Sequence, residues 1–247
     1  MLEKDNKEKS SFEEHPTKQT IRTARIKMLV TLAMLSAMSL ILATFVRIPI
    51  FPAAPFLNLD PKDVLIVIGG FIYGPLSAMA MSIVIAALEM PISGTGPYGA
   101  IMNALSSCVF ACSAALIYKK WRTISGAAIG LAVGVAVTVP VMLLWNYLIV
   151  PLYMFPPDKV AEGRMFVQGM LLPVFMPFNL IKYGINSALA LLLYKRVKFA
   201  LTAARVLPES DFISEQSKKI NLTVLLISLL IILICIFFII ALRMSWL

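Results

Sequence analysis

The chain has 247 residues, of which 60% are hydrophobic and only 14% charged, with a formal net charge of +9. That balance excludes an ordinary soluble domain, because several runs exceed the roughly 18 apolar residues that cross a bilayer. The basic residues fall between those runs, which fits membrane topology and not nucleic-acid binding.

Residues 1–24 are polar and charged and read as a disordered cytoplasmic tail. The tail is too long and mixed for the start of a signal peptide. Apolar spans follow at about 26–46, 61–73, 74–91, 99–118, 124–150, 171–194 and 220–242. In the first, Ala33 and Ala37 share a face on which another helix can approach closely. The second and third spans could form one helix, but Tyr73-Gly74-Pro75 is a strong break. Charge decides the matter. With two elements, 16 Lys and Arg lie on the cytoplasmic side against 5 outside; with one crossing the split is 10 against 11. Positive charge favours the inside, so the two-element reading holds, with the N-terminus cytoplasmic and the C-terminus outside.

The second span is then only about 13 residues, or roughly 20 Å of helix, too short for a hydrocarbon core of about 30 Å. Asp60-Pro61-Lys62-Asp63 supplies it with an N-cap, a proline at N1 and an acid at N3. The loop from Arg47 to Leu59 must therefore dip into the protein, and such backbone is tolerated only where protein buries it or it lines a cavity. Interrupted segments of this kind point to a transporter's binding site. In the fifth span, Gly126, Gly130 and Gly134 repeat every four residues and predict close internal packing.

Lys182 sits in the middle of the sixth span. An ammonium there costs on the order of 2.5–3.5 kcal/mol on insertion scales and marks a cavity or a partner. The alternative is a lysine that snorkels to the interface. Asn179, Lys182 and Asn186 are spaced to share one helix face, and Asn146 near the outer end of the fifth span reaches a similar depth. Two amides and an ammonium suit a flat ligand with carbonyl and N–H edges, with Trp145, Tyr147, Phe175 and Phe178 as walls. Asparagines that merely tie helices together are the competing reading.

Chemistry of other kinds finds little support. Cys108, Cys112 and Cys235 lie within spans as inert thiols, and the only histidine is His15 in the tail, so no metal site is expected. There is no nucleophile–base pair and no P-loop, so the chain is read as a non-enzyme without a nucleotide site or cofactor of its own.

Several segments resemble the S components of energy-coupling factor (ECF) vitamin transporters. They are Phe51 to Asp63, then Phe71-Ile72-Tyr73-Gly74-Pro75, then Ser93-Gly94-Thr95-Gly96-Pro97-Tyr98-Gly99. Trp145-Asn146-Tyr147, Pro151-Leu152-Tyr153 and Pro177-Phe178-Asn179-Leu180-Ile181-Lys182 are similar to the riboflavin-specific members. The resemblance runs from about residue 25 to 198. It implies an all-α, multi-pass bundle with a six-helix substrate-binding core over 25–198; beyond that core the sequence adds a cytoplasmic linker over 199–219 and an extra C-terminal transmembrane helix over 220–247. It implies riboflavin as ligand, held at positions that correspond approximately to Phe56, Leu57 and Asn58 and directly to Asn146, Asn179 and Lys182. It also implies docking of a transmembrane coupling (T) subunit at Ala33 and Ala37, with two partner ATP-binding subunits supplying energy. The same architecture serving FMN or another vitamin is the near alternative, and a membrane scaffold protein with structural Asn residues the distant one. The seventh span departs from the family and has no role beyond an anchor or partner-docking helix.

Overall fold

The computed structural model describes residues 18–51, 54, 57–93, 96–203 and 222–245. The chain runs through α1 (Lys18–Phe45), a two-stranded antiparallel pair β1 (Ile48–Pro49) and β2 (Asn58–Leu59), α2 (Asp63–Tyr73) and α3 (Pro75–Glu89). Then come α4 (Gly96–Lys120), α5 (Ile124–Met154), α6 (Val160–Met170), a π-helical turn (Leu171–Phe175), α7 (Met176–Ala203) and α8 (Leu222–Ser245). Among the described residues, four stretches are long and apolar enough to cross a membrane: Arg22–Phe45, Gly96–Lys120, Ile124–Met154 and Pro157–Val197. Three shorter apolar helices join them, at Asp63–Tyr73, Pro75–Glu89 and Leu225–Ala241.

The division of residues 61–91 into two helices is borne out. Gly74 takes φ 98° and ψ 172°, a region open essentially to glycine alone, and Pro75 starts the next helix at its first turn. The chain then folds back on itself. A Cβ at Gly69 would meet the Met81 sulfur, and one at Gly70 would meet Ala78. In a continuous helix positions 69 and 81 would stand about 18 Å apart. The glycine stripe of α5 also packs internally, with Gly130 against the Ala114 carbonyl and Gly134 against that of Phe110 on α4.

The loop between α1 and α2 does turn inward. Ile50, Phe51, Ala54, Leu57 and Leu59 are buried in one apolar cluster with Val150 of α5, Val174 and Phe175 of the π-helical turn, and Phe178 and Ile181 of α7. A second cluster binds α2 to α4 and α7 through Val64, Phe71, Phe110, Tyr118, Tyr183 and Tyr194. There the Tyr118 and Tyr194 hydroxyls bond each other over the Phe71 ring.

Some boundaries differ from the sequence expectation. α1 starts at Lys18, within the stretch assigned to the tail; residues 1–17 lie outside the described residues, as do 204–219 of the expected linker and the first two residues, 220–221, of the expected last span. α2 starts at Asp63, two residues after the expected proline, although the Asp60 carboxylate does receive the Lys62 N–H at 3.4 Å in the manner of a cap. α5 passes through Pro151 to Met154, where a stop was expected. Neighbouring helices let transmembrane helices tolerate such prolines. α6 was not anticipated at all; Glu162, Arg164 and Gln168 break up its apolar pattern.

The helix break yields a direct test. Gly74→Ala forces a Cβ into the glycine-only region and should cost about 1–3 kcal/mol. It should appear as a lower thermal midpoint of the purified protein; an unchanged midpoint would contradict the helix-break geometry.

Candidate functional site

A cleft of about 730 Å³, including its open mouth, lies between the inward loop and helices α4, α5 and α7. The loop contributes Leu57, Asn58 and Asp60, α5 contributes Met142, Asn146 and Tyr153, and α7 contributes Phe178, Asn179, Lys182 and Tyr183. α4 supplies Met102, Asn103 and Ser106, while Arg47 and Glu89 stand on another part of the wall.

Five of the six residues expected to bind ligand therefore line one cavity: Leu57, Asn58, Asn146, Asn179 and Lys182. Phe56 lies outside the described residues. Asn146, Asn179 and Lys182 are 1%, 2% and 4% exposed, so Lys182 does not snorkel. Of the expected walls, only Phe178 lines the cavity; Phe175 is buried in the apolar cluster behind it. Trp145 and Tyr147 do not line it.

Each asparagine is oriented by its own helix. The Asn146 amide donates to the Met142 carbonyl at 2.6 Å and that of Asn179 to Phe175 at 2.7 Å, each one turn back. In Asn146 the amide oxygen is left buried with no partner among the described residues. A buried acceptor without a donor costs free energy, on the order of 1–3 kcal/mol.

Sequence reasoning missed the counter-ion of Lys182. Its Nζ donates to Asp60 Oδ2 at 3.0 Å, and the Asn186 amide donates to the Asp60 carbonyl at 3.0 Å. The spacing of Lys182 and Asn186 thus serves to grip the end of the loop from one face of α7. An ammonium has three donors, and the bond to Asp60 uses one of them. Beyond this pair, Glu89 collects both stems of the loop: Arg47 reaches it at 3.0 Å and the buried Lys62 at 2.6 Å. Asn103 adds an amide at 3.4 Å. Asp63 receives the Ser107 hydroxyl, and the Lys62 carbonyl receives that of Ser39. One signal could have found this network: an intramembrane lysine needs a counter-charge, and Asp60, Asp63 and Glu89 were the acids at hand. Among the described residues no group of three or more His, Cys, Asp or Glu could hold a metal ion.

The ion pair predicts a stability pattern. Lys182→Met strands the Asp60 carboxylate and should destabilise the fold by about 3–5 kcal/mol. Adding Asp60→Asn removes the stranded charge and should recover most of that loss. Thermal unfolding of the two single variants and the double variant gives the coupling; strictly additive losses would show that the two side chains do not interact.

Comparison with known proteins gives this geometry a family. Residues 27–194 match the family described as ECF transporter, substrate-specific component. The riboflavin transporter RibU of Staphylococcus aureus is 32% identical over 174 residues, covering 69% of this chain and 90% of that protein. The riboflavin transporter FmnP of Bacillus subtilis is 29% identical, covering 70% of this chain and 93% of that protein. Among solved structures, the S component of a bacterial ECF transporter superposes with a TM-score of 0.59 at 30% identity, covering 72% of this chain and 98% of that one. The chain is a multi-pass membrane protein and belongs to the substrate-specific components of ECF transporters.

Proposed function

We propose that this protein captures riboflavin on the outer side of the membrane and delivers it through an ATP-driven ECF module. The buried, unpartnered amide oxygen of Asn146, in a cavity shared with Asn179 and Lys182, is the observation that carries the ligand assignment. A flavin ring presents carbonyl and N–H groups along one edge, which an acceptor on α5 and donors on α7 complement. Tyr153, Phe178 and Tyr183 supply the aromatic wall that such a ring needs. The named relatives are riboflavin transporters, which favours this vitamin over another, and the cavity favours a ligand site over a scaffold role for the asparagines.

Capture and energy belong to different chains in this reading. The sequence has no P-loop, so a transmembrane coupling subunit and two ATP-binding subunits supply the work. The docking surface is α1. Ala33 and Ala37 are exposed together with Met34, Met38 and Ile41, while Leu35 and Ser39 face inward. Small residues on that outer stripe let a partner helix approach closely. The excess of positive charge supports an N-terminus in the cytoplasm and, with α8 crossing once more, a C-terminus outside.

Titration with riboflavin should show binding of one ligand per chain. Folded protein that ignores riboflavin but binds a different vitamin would overturn the ligand assignment. Asn146→Leu should weaken riboflavin binding about tenfold, or about 1.4 kcal/mol. The same change should leave the thermal midpoint unchanged or raise it, because it removes an unpartnered buried oxygen. Unaltered affinity would place the ligand away from α5.

For docking, Ala33→Trp and Ala37→Trp should abolish transport and co-purification of the coupling subunit, with riboflavin binding by the isolated chain retained. Normal uptake by these variants would remove α1 as the coupling surface.

A further inference from the structure

The C-terminal helix α8 lies beyond the stretch that matches the family, yet it packs directly on the helix that carries the site. The contact centres on Gly184. A Cβ there would lie 3.2 Å from the Cys235 sulfur and 3.9 Å from Ile231, so the helices approach closely because that position has no side chain. Gly184 follows Lys182 by two residues, which places it about 200° around the helix, on the far face of α7. α8 therefore bears on the back of α7 at the level of the Lys182 ammonium. The buried Cys235, with Ile231 and Ile239 packed nearby, joins the apolar cluster that holds Phe178 and Ile181 of α7 and Leu57 of the inward loop.

The segment just before the site gives this contact a purpose. Residues Leu171–Phe175 form a π-helical turn that includes Pro173, and it leads directly into Phe178, Asn179 and Lys182. A π-turn interrupts the regular ladder of backbone hydrogen bonds, and proline removes a donor from it. The first turns of α7 are thus held less by their own backbone and more by what packs against them. The loop and α5 press from the cavity side, and α8 meets them from behind.

We propose that α8 is a positioning element of the binding site, bracing α7 so that Asn179 and Lys182 keep their place in the cavity wall. It acts within the chain, through Cys235 and Ile231 on Gly184, and its effect on affinity rests on the riboflavin reading above.

The test uses full-length protein and perturbs α8 alone. Cys235→Trp puts an indole where Gly184 leaves no room and should lift α8 from α7. Hydrogen exchange over residues 171–186 should then quicken at least threefold relative to the parent, with residues 124–139 of α5 unchanged. Bound riboflavin should also dissociate at least threefold faster. In the opposite direction, Gly184→Cys brings a second thiol within disulfide reach of the native Cys235. Its oxidised form should exchange more slowly over 171–186 than its own reduced form. Equal exchange in the parent, in Cys235→Trp and in both redox forms of Gly184→Cys would overturn the proposal and reduce α8 to an anchor. A parent that binds no riboflavin but shows the exchange response would remove the ligand assignment and leave the brace in place.

Discussion

The ion pair between Lys182 and Asp60 is the constraint on which the rest of the site depends. An ammonium deep in an apolar bundle is unstable alone, and a carboxylate there equally so. Their attraction at 3.0 Å makes each a condition for burying the other. It also joins two distant parts of the chain, since Asp60 ends the inward loop and Lys182 sits on α7. Once they meet, Asn186 fastens the Asp60 backbone and the loop has a fixed end. The Arg47–Glu89–Lys62 cluster then ties both stems of the loop to the end of α3. Replacing such pairs with apolar residues is often neutral or stabilising in other proteins, so their worth here lies in the geometry they impose.

That geometry leaves room for an open cavity in a small bundle. Elsewhere the helices pack as closely as their backbones allow, with Gly70 against Ala78, Gly130 against Ala114 and Gly134 against Phe110. Where the loop and α7 meet α5, polar side chains replace small ones, and the space is left open. Asn146 with its unpartnered oxygen is the local cost of that opening. Groups left unsatisfied in this way lower the stability of a protein while serving its function.

Much of this was legible in the sequence because membrane constraints are strict. The break at Gly74-Pro75, the shortness of α2 and the distribution of Lys and Arg together required a loop that turns inward, and Leu57 and Phe51 are buried as that demanded. The Asn179–Lys182–Asn186 spacing gave one face of α7 from periodicity alone. That Lys182 needs a counter-charge was legible, but which acid supplies it was not. Asp60 precedes Lys182 by 122 positions, and its place before Pro61 gave it a sufficient local role as a helix cap. Glu89 stood near a span's end, where an acid needs no partner, so its part as the meeting point of Arg47 and Lys62 was invisible. α6 escaped because its pattern is too polar, and its 11 residues too few, for a membrane span. The contact of α8 with Gly184 was hidden for a different reason: an isolated glycine in an apolar helix carries no mark of which helix will cover it.

The most direct test of the account is a structure of the protein with riboflavin bound. The account predicts the flavin ring inside the cavity, with a ring N–H donating to the Asn146 amide oxygen and ring acceptors within hydrogen-bond distance of Asn179 and Lys182. Asp60 should remain beside Lys182, so that the ligand adds to the pair without replacing it. A flavin found outside this cavity, or one seated in it with the Asn146 oxygen still unpartnered and Lys182 bonded to Asp60 alone, would contradict it.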